Sequence, residues 1–258
     1  VQSAEDASNQ GKTQSYIVGA KNNWRNISST FETEVIFPKP ARLENPAYYA
    51  PTNLIENIAF IGKYDSGYLQ EEFVSIKAVK VPAIALAKDI KFVCTFNGVD
   101  YETDIFKDVY DNSKFNIAVK IKPSAEVPCT TNAQTIPYTL EFYCVWTLSD
   151  SLEQEDTVTA EIQYDGDMIS CDKYIRLGKT LNDVEKSFKV SSTLFWYDYL
   201  SNKEIQLHAF DTSNYGRLNP TERVYTHLFD DTVTRADTLA LHWDFNRVAT
   251  TDANGQFV

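Results

Sequence analysis

The chain has 258 residues, 43% hydrophobic and 13% aromatic, which excludes a disordered chain and supplies a core that needs no disulfide or metal. A formal net charge of −12, with no long run of Lys and Arg, excludes the basic face of a nucleic-acid binder and argues against attraction to anionic membranes. No apolar run reaches the roughly 18 residues that a membrane-spanning helix needs.

Residues 1–14 are small, polar and weakly acidic, and read as a flexible or swapped N-terminal arm. Ser15 to Ala20 is the first apolar patch and reads as an edge strand. Asn26-Ile27-Ser28 is an N-glycosylation sequon, a pattern short enough to arise by chance. Thr30 to Phe37 alternates, with Phe31, Thr33, Val35 and Phe37 on one face, and stops at Pro38. Pro38, Pro40, Pro46 and Pro51 then make an extended loop, because proline donates nothing to a strand ladder. Tyr48 and Tyr49 anchor that loop and are candidate partner contacts.

Glu56 to Lys63 and Glu72 to Val81 read as the next strands. The most specific signal follows at Asp89 to Phe106. Ile90, Phe92, Cys94 and Phe96 alternate with Lys91, Val93, Thr95 and Asn97, and a second alternating run begins after Asn97-Gly98. Asn-Gly supplies the two positive-φ residues of a type I′ turn, so the stretch predicts a β-hairpin.

Phe115 to Ile121 and the very apolar Tyr138 to Leu148 are predicted strands, the second of them central. Ser149 to Asp156 reads as an acidic loop. Thr157 to Tyr164 is predicted to pair with Met168 to Leu177 as a second hairpin around Asp165-Gly166-Asp167. Thr180 to Lys186 is the best helical candidate, with Thr180 as N-cap. Ser187 to Tyr199 and Glu204 to Phe210 read as strands joined by a tight connection, and Glu222 to Phe229 and Thr238 to Phe245 as the last two. The fold class is therefore all-β, an antiparallel β-sandwich in the manner of an elaborated jelly roll with polar terminal arms. A single sandwich over residues 15–248 is preferred to two small sandwiches meeting near Ser149, and 249–258 form a polar tail.

Nothing in the chain carries a reaction. The four cysteines, Cys94, Cys129, Cys144 and Cys171, include no CxxC pair; Cys94 and Cys144 sit in apolar strand patterns, and reduced cysteines are expected. His208, His227 and His242 sit in alternating runs and read as ordinary strand residues. No HExxH, GxSxG or glycine-rich phosphate loop occurs. Asp165-Gly166-Asp167 and Asp230-Asp231 read as turn chemistry, without the spaced ligands of a calcium loop. The expectation is a non-enzymatic protein with no catalytic, cofactor-binding or metal-ligating residues and no cofactor. Trp196 and Tyr197, in LFWYDYL, are candidate partner or glycan contacts through their flat rings.

A strand-rich chain with polar arms, proline-bearing loops at 38–52 and 124–137, unpaired cysteines and a start at Val1 resembles the jelly-roll coat proteins of picorna-like non-enveloped RNA viruses. The resemblance implies a structural capsid protein, cut from a polyprotein and assembled in the host cytoplasm into an icosahedral virion. Its partners would be other coat-protein chains, the same and related, and a host receptor. The alternative is a secreted bacterial β-sandwich module, extracellular or at the cell surface, for adhesion or glycan binding. That alternative expects exposed rings at Trp196 and Tyr197.

Overall fold

The computed structural model describes residues 28–37, 53–65, 68–84, 86–110, 112–124, 136–148, 151–164, 173–178, 188–196, 198–210 and 239–245. Their strands are β1 (Ser29–Phe37), β2 (Ile55–Asp65), β3 (Tyr68–Val81), β4 (Asp89–Phe96), β5 (Val99–Glu102) and β6 (Ser113–Pro123). They continue as β7 (Ile136–Leu148), β8 (Ser151–Tyr164), β9 (Lys173–Leu177), β10 (Lys189–Trp196) and β11 (Leu239–Asp244), with one helix, α1 (Asn202–Phe210), between the last two. The expected all-β antiparallel sandwich is observed. One sheet runs β11-β10-β1-β6-β7-β8 and the other β5-β4-β3-β2-β9.

Alternation explains the layering. On β6, Phe115, Ile117, Val119 and Ile121 face the five-stranded sheet, and Phe142, Cys144 and Trp146 of β7 do the same. From the other side Val74, Ile76, Ala78, Phe92, Cys94 and Phe96 meet them in one apolar cluster. Edge-to-face rings bind its middle: Phe92 and Phe115 lie 4.9 Å apart, and Phe106 and Phe115 5.4 Å apart. Cys94 and Cys144 are buried free thiols in that core.

The Asn97-Gly98 hairpin forms as the sequence predicts, with φ of 48° at Asn97 and 80° at Gly98. Cross-strand pairs fasten it: Thr95 Oγ1 donates to Asp100 at 2.6 Å, and Lys91 meets Glu102 at 2.5 Å.

Three expectations are corrected. Ser151 to Asp156 is no loop but the first part of β8, which pairs along the whole of β7. As an edge strand β8 keeps one side in solvent, which is where its Glu and Asp side chains belong. The hairpin expected between Thr157–Tyr164 and Met168–Leu177 is not seen among the described residues: β9, the described part of its second strand, pairs with β2 in the opposite sheet. Glu204 to Phe210 is helical. Ser201 caps it, because Glu204 N–H donates to Ser201 Oγ at 3.3 Å while Ser201 N–H donates back to Glu204 Oε2 at 2.8 Å. This reciprocal capping box starts a helix and overrides a short alternating pattern. The expected strands at 15–20 and 222–229, the helix at 180–186 and both terminal arms lie outside the described residues.

Candidate functional site

The outer face of the six-stranded sheet is built from the side chains that alternation turns away from the core. Strand register arranges them in rungs. Lys122, Thr139 and Glu161 form the first rung across β6, β7 and β8. Trp196, Thr30, Lys120, Glu141 and Thr159 form the second, from β10 to β8. Leu194, Glu32, Ala118, Tyr143 and Thr157 form the third.

Helix α1 covers part of this face. Its Ile205 and Ala209, with Leu200 before it, pack on Ala118, Tyr143, Val145, Leu194 and Trp196. Polar side chains hold it there. His208 Nδ1 lies 2.6 Å from Glu32 Oε1, and Trp196 Nε1 donates to the same oxygen at 3.2 Å. Gln206 donates to Tyr143 Oη at 3.0 Å, and Tyr143 in turn donates to Glu155 at 2.5 Å.

Beside the helix, β7 and β8 keep an open strip. Thr157, Thr159 and Glu161 are exposed, and Thr139 and Glu141 are half-buried. Its inner wall is Tyr199. The Tyr199 hydroxyl donates to Glu141, and Lys120 donates to Glu141 and Asn202. The Tyr199 ring carries Lys120 Nζ at 4.8 Å and Lys122 Nζ at 4.4 Å from its centroid. Asn202 Nδ2 donates to Thr157 Oγ1 at 3.2 Å.

The charges of the strip are fixed by these contacts. Ser124 donates to Glu161, and Thr139 Oγ1 donates to it at 2.9 Å. The two hydroxyls hold the Glu161 carboxyl below the usual range. Burial raises the Glu141 carboxyl, but the hydrogen bonds from Lys120 and Tyr199 outweigh it and leave it lowered. Burial pushes the Lys120 ammonium down and the Tyr199 hydroxyl up. Both carboxylates are therefore ionised acceptors near neutral pH, with hydroxyls on either side and a cationic donor at Lys122. Such a strip pairs with neighbouring hydroxyls or amides of a ligand.

Of the residues singled out in the sequence, Trp196 is 0% exposed, buried under α1, and offers no ring face to a partner. Tyr197, Tyr48 and Tyr49 lie outside the described residues, as do Asp165-Gly166-Asp167 and Asp230-Asp231. His208 is a buried helix residue bound to Glu32. Among the described residues no group of three metal-ligating side chains converges, and no helix is long and apolar enough to cross a membrane. The strip residues escaped sequence reasoning because each strand shows its own alternation and not its neighbour. Only the Ser201-Glu204 spacing could have pointed to the helix beside them.

No family model and no curated protein matches the sequence. Among solved structures, an alginate lyase from Pseudomonas aeruginosa is 9% identical over 67% of this chain and 65% of its own, at a TM-score of 0.36. The binding domain of botulinum neurotoxin serotype G is 13% identical over 74% of this chain and 38% of its own, at 0.37. An alginate lyase from Aplysia kurodai is 10% identical over 66% of this chain and 70% of its own, at 0.34. These are two lyases and a toxin domain, none of them a coat protein, and the expected membership of the picorna-like coat proteins is corrected, with the capsid function it implied. Alternating strands, proline loops and polar ends are shared by antiparallel sandwiches of many kinds, so they do not single out a capsid.

Proposed function

We propose that this chain is a non-enzymatic binding module that takes a glycan on the open β7–β8 strip, acting outside the cell or at its surface. The observation that carries the reading is the strip itself. Glu141, Thr139, Thr159 and Glu161 stand on neighbouring rungs, with Lys122 at one end and the Tyr199 ring as a side wall. Strands about 4.8 Å apart set acceptors and donors at spacings that suit a run of ligand hydroxyls. The half-buried Tyr199 ring, with Lys122 Nζ over it at 4.4 Å, sets a wall and a cationic donor beside them. The reading assigns the carboxylates to hydrogen bonding and not to acid–base work: the two on the strip are held ionised by fixed donors.

A glycan array probed with the intact chain and with Thr159→Arg tests the reading. Thr159 is exposed, so the arginine leaves the core alone and fills the strip. Binding to a defined sugar class that the substitution abolishes supports the reading. Absence of binding to any glycan, or binding that Thr159→Arg leaves unchanged, overturns it.

A further inference from the structure

A second aromatic feature lies on the opposite face of the same sheet, at the corner where β6, β7 and β8 begin and end. Trp146 is 4% exposed and stacks on Phe115 at 5.7 Å with 20° between the rings. Its indole N–H is buried and has no hydrogen-bond partner among the described residues. A buried donor left unmade is uncommon and costly, and calls for an acceptor. Against the same indole leans Tyr110, at 5.5 Å and 51° tilt, with 51% of its surface in solvent.

The backbone fixes the segment that carries Tyr110. Asp108 N–H donates to Asp89 Oδ1 at 2.8 Å and Val109 N–H to Lys88 O at 3.0 Å. Asn112 N–H donates to Phe37 O at 2.6 Å. Asp108 and Asn112 hold φ of 52° and 64°, which side chains other than glycine adopt rarely, and they bracket Tyr110. The Ile105 carbonyl accepts from Gln154 Nε2 at 3.1 Å, and Gln154 is the β8 partner of Trp146. An exposed ring on a braced loop and a hidden donor on β7 are thus set side by side.

We infer that this corner is a second sugar subsite, in which one ring of a glycan lies on Tyr110 and one of its hydroxyls accepts the Trp146 indole N–H. The N–H is buried in the free chain, so the subsite requires the half-exposed Tyr110 ring to move off the indole when the sugar binds. The ligand class rests on the glycan reading given above. The corner itself rests on the unmade N–H and the exposed ring.

Nitrogen-edited NMR of the intact chain observes the indole N–H directly. The Trp146 signal is assigned by its loss in Trp146→Phe, or by its contacts to the Phe115 ring should that variant fail to fold. Methyl glycosides of glucose, galactose, mannose and N-acetylglucosamine are added in turn, with calorimetry of array-selected oligosaccharides alongside. The expected result is a saturable shift of the Trp146 signal with at least one sugar, weakened about three- to tenfold in Tyr110→Ala, the range of an aromatic stacking contribution. A Trp146 signal that stays still while calorimetry records glycan binding overturns the subsite and leaves the strip reading standing. A shift that Tyr110→Ala does not weaken also overturns it. Absence of glycan binding by calorimetry sinks the strip reading, and the sugar assignment of this corner with it.

Discussion

Glu32 and His208, 176 residues apart in sequence, meet at 2.6 Å beneath helix α1. The Trp196 indole donates to the same Glu32 oxygen at 3.2 Å and stacks on the imidazole at 5.7 Å. A carboxylate buried at 0% exposure is tolerable only with such partners. The triad therefore fixes α1 to the outer face and, through Leu200 and Tyr199, sets the wall of the strip.

His208→Ala leaves Glu32 buried with one donor fewer. Unfolding free energy should fall by about 3 kcal/mol, as for other broken buried pairs. Urea denaturation followed by far-ultraviolet circular dichroism measures it, and Glu32→Gln should lose less because it keeps shape and one acceptor. A loss under about 1 kcal/mol for His208→Ala would mean the contact does not hold the helix.

Glu34, next along β1, titrates in the opposite sense to an ordinary paired carboxylate. Burial raises its carboxyl, only partly offset by Lys114 at 3.3 Å and a hydrogen bond from Ser191. A folded-state value above the unfolded one means that the contribution of Glu34 to stability is fully present below the unfolded value. It is lost as pH rises through the folded value. Glu34→Gln removes this dependence, so its stability relative to the parent chain should improve as pH is raised from the carboxylate range towards neutrality. Paired denaturation curves across that range check it, and a constant difference would contradict it.

Burial pushes the Cys94 and Cys144 thiols far up, with Asp100 adding to the first and Asp156 to the second. Thiolate is the reactive form, so both should resist alkylation in the folded chain. Iodoacetamide treatment with peptide-resolved mass spectrometry should show modification of these two positions only after denaturant is added. Rapid labelling of either under native conditions would place it outside the core.

Gly98 closes the β4–β5 hairpin at φ of 80°, and a Cβ there meets nothing within 4 Å. The penalty of Gly98→Ala is therefore conformational alone, about 1 kcal/mol. Gly98→Asn should lose less, because asparagine tolerates the left-handed region. The two midpoints in urea separate backbone strain from packing, and equal losses would contradict this account.

The hairpin at Asn97-Gly98 was readable from sequence because turn chemistry and alternation are both local. So were β1, β4, β6, β7 and β10, whose apolar faces repeat every second residue. Helix α1 was not read, since LHAF after EIQ also alternates and only the Ser201-Glu204 cap distinguishes it. The start of β8 was hidden by its acidic residues, which an edge strand places in solvent. The strip was out of reach for a different reason. Lys122, Thr139, Glu161 and Tyr199 become neighbours only through pairing of β6, β7 and β8 and the docking of α1, and alternation says nothing about strand order. Trp196 drew attention as a flat ring, but the same aromatic area that could meet a sugar is what α1 buries.

The most direct test of the strip is calorimetric titration of the array-selected glycan into the parent chain and into Glu161→Ala. Glu161 is exposed and held by Ser124 and Thr139, so its removal should leave the melting temperature essentially unchanged. The account predicts binding weakened about tenfold or more, the effect of losing a hydrogen bond to a charged acceptor. Equal affinities for the two chains would contradict it and move the binding site off the β7–β8 strip.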